Sequence, residues 1–143
     1  MGATYPRLHT PWLGGNSRID EIVELADRIG EPLLAWQKLI LTDLCAVDEN
    51  NMFIKKSSLT VVARQSGKSH MMRMRVLAGL FYFDEDSILI MSSQRQMASK
   101  SLEIMANTID RNPFLLKLVR GGNLDKAYKR QSGNERIILA SGA

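Results

Sequence analysis

Ser58-Leu59-Thr60-Val61-Val62-Ala63-Arg64-Gln65-Ser66-Gly67-Lys68-Ser69 is the stretch on which the reading of this chain turns. Its first six residues are apolar and β-branched, the composition of a strand buried in a parallel sheet. A polar turn follows from Arg64 to Gly67. From Lys68 the spacing becomes helical, with Met71, Met74, Ala78 and Phe81 on one side. A turn wrapped ahead of a helix N-terminus collects backbone N–H groups and the positive end of the helix dipole, which suits an anion. Gly67 lets the backbone come close to a phosphate. Lys68 is expected to place its ammonium between the β and γ phosphates of a nucleotide, and Ser69 to offer its hydroxyl to Mg2+. Gln65 and Ser66 complete the expected cradle. The general phosphate-loop pattern has a glycine five residues before Gly67; Val62 stands there instead.

Outward from this stretch, the sequence predicts alternating strands and helices. Ser17 is expected to cap a helix whose stripe is Ile19, Ile22, Val23, Ala26 and Ile29, ending at Gly30. Pro32 opens a second, with Leu33, Trp36, Ile40, Leu44 and Val47 recurring at helical spacing. Ser87-Ile88-Leu89-Ile90-Met91-Ser92 reads as a second strand, and Ser93 as the cap of a helix carrying Met97, Leu102, Met105 and Ile109. A short helix through Leu115 to Val119 and a terminal hairpin, Tyr128 to Gln131 with Arg136 to Ala140, close the chain. Strand, helix, strand, helix argues for a parallel sheet with right-handed crossovers.

Within this pattern, Ala63-Arg64-Gln65-Ser66-Gly67-Lys68-Ser69 resembles the variant phosphate loop of tailed-phage terminase large subunits, where an Arg-Gln pair precedes Gly-Lys and the first glycine is also missing. The resemblance implies that Arg64 is a cis-acting arginine, offsetting charge that develops on the γ phosphate. Leu33-Leu34-Ala35-Trp36-Gln37 resembles the adenine-recognising segment of the same proteins. By that likeness Gln37 reads the base, its amide matching the N7 and N6 edge of adenine, and Trp36 packs beside it. Ser92-Ser93-Gln94-Arg95-Gln96-Met97-Ala98 is similar to the family's pattern after its second strand, although Gln94 and Arg95 also read as polar residues at a helix start.

The fold so implied is α/β: a P-loop NTPase of the RecA/ASCE-like kind, a parallel sheet with flanking helices, incomplete at the C-terminus. Residues 1–16 are expected to be an irregular leader and 17–143 a partial ATPase domain, with the family's nuclease domain absent. The implied activity is that of an ATP-driven motor moving viral double-stranded DNA into a prohead. Its cofactors are ATP and Mg2+; its partners are the small terminase subunit, the portal protein and further copies in a motor ring. Two other readings stay open: a helicase-like ATPase of similar fold, and a noncatalytic nucleic-acid-binding module.

Hydrolysis also needs an acidic pair, and Leu80-Phe81-Tyr82-Phe83-Asp84-Glu85 imitates one. The residues before it continue the helix from Lys68, so Asp84 and Glu85 are expected in a solvated loop. The chain stops where the family proceeds toward its acidic motif. Nucleotide binding that is weak at best, and no hydrolysis, is therefore expected of this polypeptide alone.

Composition narrows the remaining classes. With 143 residues, 45% hydrophobic, the chain suffices for one domain with a core. A single cysteine, Cys45, excludes an intrachain disulfide, and with two histidines, His9 and His70, there is little material for a metal cluster. No apolar run approaches the roughly 20 residues of a membrane span, and no signal-peptide pattern opens the chain. Host cytoplasm is the expected location and no membrane the expectation for partners. The net charge of +4 is unevenly placed: residues 94–143 carry nine lysines and arginines against four acids, and are the candidate polyanion face.

Overall fold

The structure, a computed structural model, describes residues 5–10, 15–131 and 134–142. Parts of the expected leader, residues 1–4 and 11–14, and the hairpin-turn residues Ser132 and Gly133 lie outside the described residues. The chain falls into two compact units, Met1–Arg75 and Val76–Ala143.

The first unit begins with β1 (Asn16–Ser17) and α1 (Ile19–Arg28). Asp20 and Glu21 in the first turn of α1 and Arg28 in its last complement the helix dipole. Ile22, Leu25 and Ala26 bury one face at helical spacing. Ser17, expected as the helix cap, instead donates its hydroxyl to the Thr42 carbonyl at 2.8 Å. The N-cap is Arg18, whose guanidinium makes two 2.7 Å bonds to the Glu21 carboxylate. Helix α2 (Ala35–Leu44) follows, and β2 (Ala46–Val47) pairs antiparallel with β1, Asn16 opposite Val47 and Ser17 opposite Ala46. The expected helix to Val47 therefore ends three residues early. The buried face of α2 also differs from the expected stripe: Gln37, Leu41 and Cys45 are buried, whereas Trp36, Ile40 and Leu44 are partly exposed. Beyond β2, Asp48 organises a turn by accepting the Asn50 and Met52 N–H groups, each at 2.9 Å. Lys55 then pairs with Asp43, and Arg75 lies 5.0 Å above the Phe53 ring.

Helix α3 (Lys68–Phe81) starts at the expected Lys68, and the division between units falls inside it. Met71, Met74, Leu77 and Ala78 are fully buried. Its end is closed by the Tyr82 and Phe83 N–H groups, both bonded to the Ala78 carbonyl at 2.9 Å, and by Asp84 at φ 52°. Asp84 and Glu85 accordingly sit in a turn after the helix.

In the second unit, α4 (Arg95–Asp110) buries Met105, Ala106, Thr108 and Ile109. Asn112 caps the short α5 (Pro113–Leu116), whose first residue is a proline preset for that position, and its side-chain amide donates to the Thr108 carbonyl at 2.7 Å. A 3-10 turn (Arg120–Gly122) and α6 (Leu124–Ala127) lead into β3 (Tyr128–Gln131) and β4 (Asn134–Ile137). These form a hairpin whose first strand is the expected one and whose second begins two residues before the expected Arg136 and ends at Ile137, with Tyr128 opposite Ile137, Lys129 opposite Arg136 and Arg130 opposite Glu135. Glu135 accepts from Arg95 at 3.0 Å and Ser99 at 3.4 Å, tying the hairpin to α4. The bond from Arg95 holds its carboxyl below the ordinary value of 4.5.

The α/β expectation, a P-loop NTPase fold of the RecA/ASCE-like kind with a parallel sheet, is corrected here. Most of the regular elements among the described residues are helices, and their only sheets are two small antiparallel pairs, β1 with β2 and β3 with β4. Residues 58–63 and 87–92 pair with nothing among the described residues. Leu59 is 88% exposed and Val61 82%; Leu89 and Met91 are each 81% exposed. A strand of a parallel sheet is covered on both faces and bonded along its edges. The apolar, β-branched composition of both segments is real, but composition specifies neither the neighbour nor the cover.

Candidate phosphate-binding turn

The turn between residues 63 and 68 is built by two left-handed positions. Gln65 has φ 61° and Gly67 φ 93°, with Ser66 between them on the ordinary side. Alternation of this kind turns successive backbone N–H groups toward a common side, the arrangement of an anion-binding nest. Ser66 stabilises the turn by donating its hydroxyl to the Ala63 carbonyl at 2.8 Å. Helix α3 starts at Lys68, and the Met71 N–H bonds back to the Gly67 carbonyl at 3.1 Å. Among the described residues, no backbone acceptor takes the N–H of Ser66, Gly67, Lys68, Ser69 or His70. These are the orphan donors of a helix start, and they lie where an anion would be recognised.

Beneath the turn lies Gln37. Its Oε1 accepts the Leu34 N–H at 2.8 Å, the N3 side chain of α2 reaching back to the N-cap, and its Nε2 donates to the Gly67 carbonyl at 2.8 Å. The side chain is 0% exposed. The sequence assigns Gln37 and the turn to one nucleotide, with Gln37 reading the base. In the structure they touch, and the amide is turned into the protein. Its role there is to brace the turn. A Cβ at Gly67 would come within 2.8 Å of Gln37 Nε2 and 4.0 Å of Trp36 Cζ2, so glycine is required both by the positive φ and by this close approach. Trp36 thus packs beside the brace.

The remaining expected site residues are at the surface. Arg64, Gln65, Lys68 and Ser69 are exposed. Lys68 projects from the first position of α3, with the Ser69 hydroxyl next along the chain. A group that sequence reasoning missed stiffens the helix behind them: Arg73 pairs with the Glu31 carboxylate, and His70 Nε2 lies 3.2 Å from the Glu31 carbonyl. The signal was available as His70 and Arg73 three apart on one helix face, with Glu31 just after α1. No family model, curated protein or solved structure matches the chain. The functional reading therefore rests on the residues themselves.

Gln94 and Arg95 belong to the chain's second unit. Gln94 is the extended N-cap of α4, and Arg95 is engaged with Glu135. No helix among the described residues is long and apolar enough to cross a membrane.

The donors suit a phosphate tail in kind, and they follow one another along a single turn and helix start. Backbone N–H groups of 66–70 would hold phosphate oxygens, Lys68 would add an ammonium, and the Ser69 hydroxyl is a suitable oxygen ligand for Mg2+. Bound there, a nucleotide triphosphate would supply a reactive phosphoanhydride.

Proposed function

We propose that residues 64–69 bind the triphosphate tail of ATP with Mg2+, as a working part of an ATP-driven DNA-packaging machine of the kind whose loop they resemble. The observation that carries this reading is the turn itself: left-handed Gln65 and Gly67 ahead of α3, N–H groups with no backbone acceptor among the described residues, and exposed Lys68 and Ser69. All of these donors are local to one turn and one helix end, so the proposal needs no parallel sheet. Arg64, exposed at the start of the same turn, supplies a guanidinium to offset γ-phosphate charge. The partners would be viral double-stranded DNA, the small terminase subunit, the portal protein and further copies of the motor.

Because Gln37 is buried under the turn, recognition should fall on the phosphates and little on the base. Competition against a fluorescent ATP analogue tests this. Inorganic tripolyphosphate with Mg2+ is expected to displace the analogue, and adenosine at the same concentration to leave it bound. Displacement by adenosine alone would move recognition to the base and refute the reading.

A second reading, nucleic-acid binding without catalysis, is favoured by the β3–β4 hairpin. Lys129 and Arg136 are exposed and directly opposite each other. Like charges in that relation repel, and a phosphate backbone lying across them would relieve the repulsion.

A further inference from the structure

We propose that the groove between α4 and the β3–β4 hairpin binds a single-stranded nucleic acid, one base stacking on Tyr128 and the backbone passing Lys100 and Arg130. One wall of this groove is α4, with Lys100 and Glu103; the other is the hairpin, with Tyr128 and Arg130. Its volume is about 680 Å³, within the range of sites that hold a ligand. Strand residues alternate between faces, so Tyr128 and Arg130 share one face with Glu135, which lies directly opposite Arg130. Glu135 accepts from Arg95 and Ser99, and this turns the shared face toward α4. Lys129 and Arg136 fall on the other face. The proposal is therefore independent of that pair, and of the turn at 64–69, which belongs to the first unit.

The chemistry of the groove selects the partner. Although Glu135 is the cross-strand neighbour of Arg130, its carboxylate is engaged by α4, and the Arg130 guanidinium lies over the Tyr128 ring instead, 5.0 Å from its centre. Tyr128 is partly exposed, and Lys100 and Arg130 are exposed. An aromatic ring and a planar guanidinium offer a nucleobase stacking surfaces that tolerate any base. The neighbouring cations suit the phosphates that join successive bases. A duplex shows only base edges in its grooves and keeps the base faces stacked, so a base that reaches Tyr128 face-on comes from an unpaired strand. With Arg95 bound to Glu135, the balance left in the groove is Lys100 and Arg130 against Glu103. Glu103 repels a phosphate backbone, and neutralising it should strengthen binding.

Fluorescence anisotropy of labelled oligothymidylate and oligouridylate with the full chain tests the proposal, the tighter of the two distinguishing DNA from RNA as the source. Both are expected to bind more tightly than a duplex of the same length. Tyr128→Leu is expected to weaken binding about ten-fold, and Tyr128→Phe, which keeps the ring, to bind as the native chain does. Lys100→Ala should make the slope of log affinity against log salt shallower by about 0.7, one phosphate contact on a single strand. Glu103→Gln should tighten binding about three-fold, a gain that damage to the fold does not produce. No saturable binding of either strand, equal affinity for the duplex, displacement of the strand by thymidine monophosphate at the same nucleotide concentration, or a salt slope unchanged by Lys100→Ala would each overturn it. Binding lost on replacing Lys129 and Arg136 by alanine, yet kept in Tyr128→Leu, would also overturn it and place the nucleic acid on the hairpin's other face.

Discussion

Lys68→Ala is expected to weaken MgATP binding about 10- to 100-fold. The estimate follows from one charge-assisted hydrogen bond, worth about 1.5–3 kcal/mol, with each 1.4 kcal/mol a factor of ten in affinity. Lys68 is exposed at the start of α3, so its removal should leave the thermal unfolding of the unliganded chain unchanged. Isothermal titration with MgATP and a melting curve without it separate the two effects. Equal ATP affinity in both chains would remove Lys68 from the site. Salt-dependent DNA binding indifferent to the same substitution would instead support the basic hairpin as the functional surface.

The second large effect concerns Gln37. Substitution by alanine leaves the Leu34 N–H without its side-chain acceptor, takes one donor from the Gly67 carbonyl and opens a void beneath the turn. A loss of about 3 kcal/mol of stability is expected, from an unsatisfied buried group together with a cavity. Urea unfolding of the unliganded chain measures it. A glutamine serving as a base reader would behave differently: its loss would lower discrimination between ATP and GTP and leave the unliganded chain as stable as before. The two roles are therefore separable in one variant.

Gln37 also shows where the sequence could and could not be read. The helix at residues 35–44 was legible from its apolar spacing, but its orientation was not. Counting Trp36, Ile40 and Leu44 as the inward stripe places the glutamine at the edge; the structure rotates the helix by about one residue and buries Gln37 with Leu41 and Cys45. A polar side chain with both ends satisfied is as acceptable inside as a leucine, and hydrophobic periodicity does not register it. The start of α3 was legible because glycine, turn and helical spacing agree at Gly67. The hairpin at 128–137 was legible because its strands and turn are adjacent in sequence.

Residues 58–63 and 87–92 fail for the complementary reason. Both have the β-branched and apolar residues that a strand favours, yet a parallel sheet also needs a neighbour on each edge, and pairing is a long-range property that no local pattern encodes. Ser17 illustrates the same limit at smaller scale: its hydroxyl suits a helix cap, but the Thr42 carbonyl 25 residues away is the acceptor it uses. The turn at 64–69, by contrast, depends only on neighbouring residues, and it was the most legible part of the candidate site.

The backbone donors of that turn are the centre of the account, and amide resonances report on them residue by residue. In an MgATP titration followed by 15N–1H correlation spectra, the largest saturable shifts are expected at Ser66, Gly67, Lys68, Ser69 and His70, and tripolyphosphate should reproduce them. Shifts confined to other residues, with these five amides unmoved at saturating ATP, would contradict the assignment of this turn as the phosphate site.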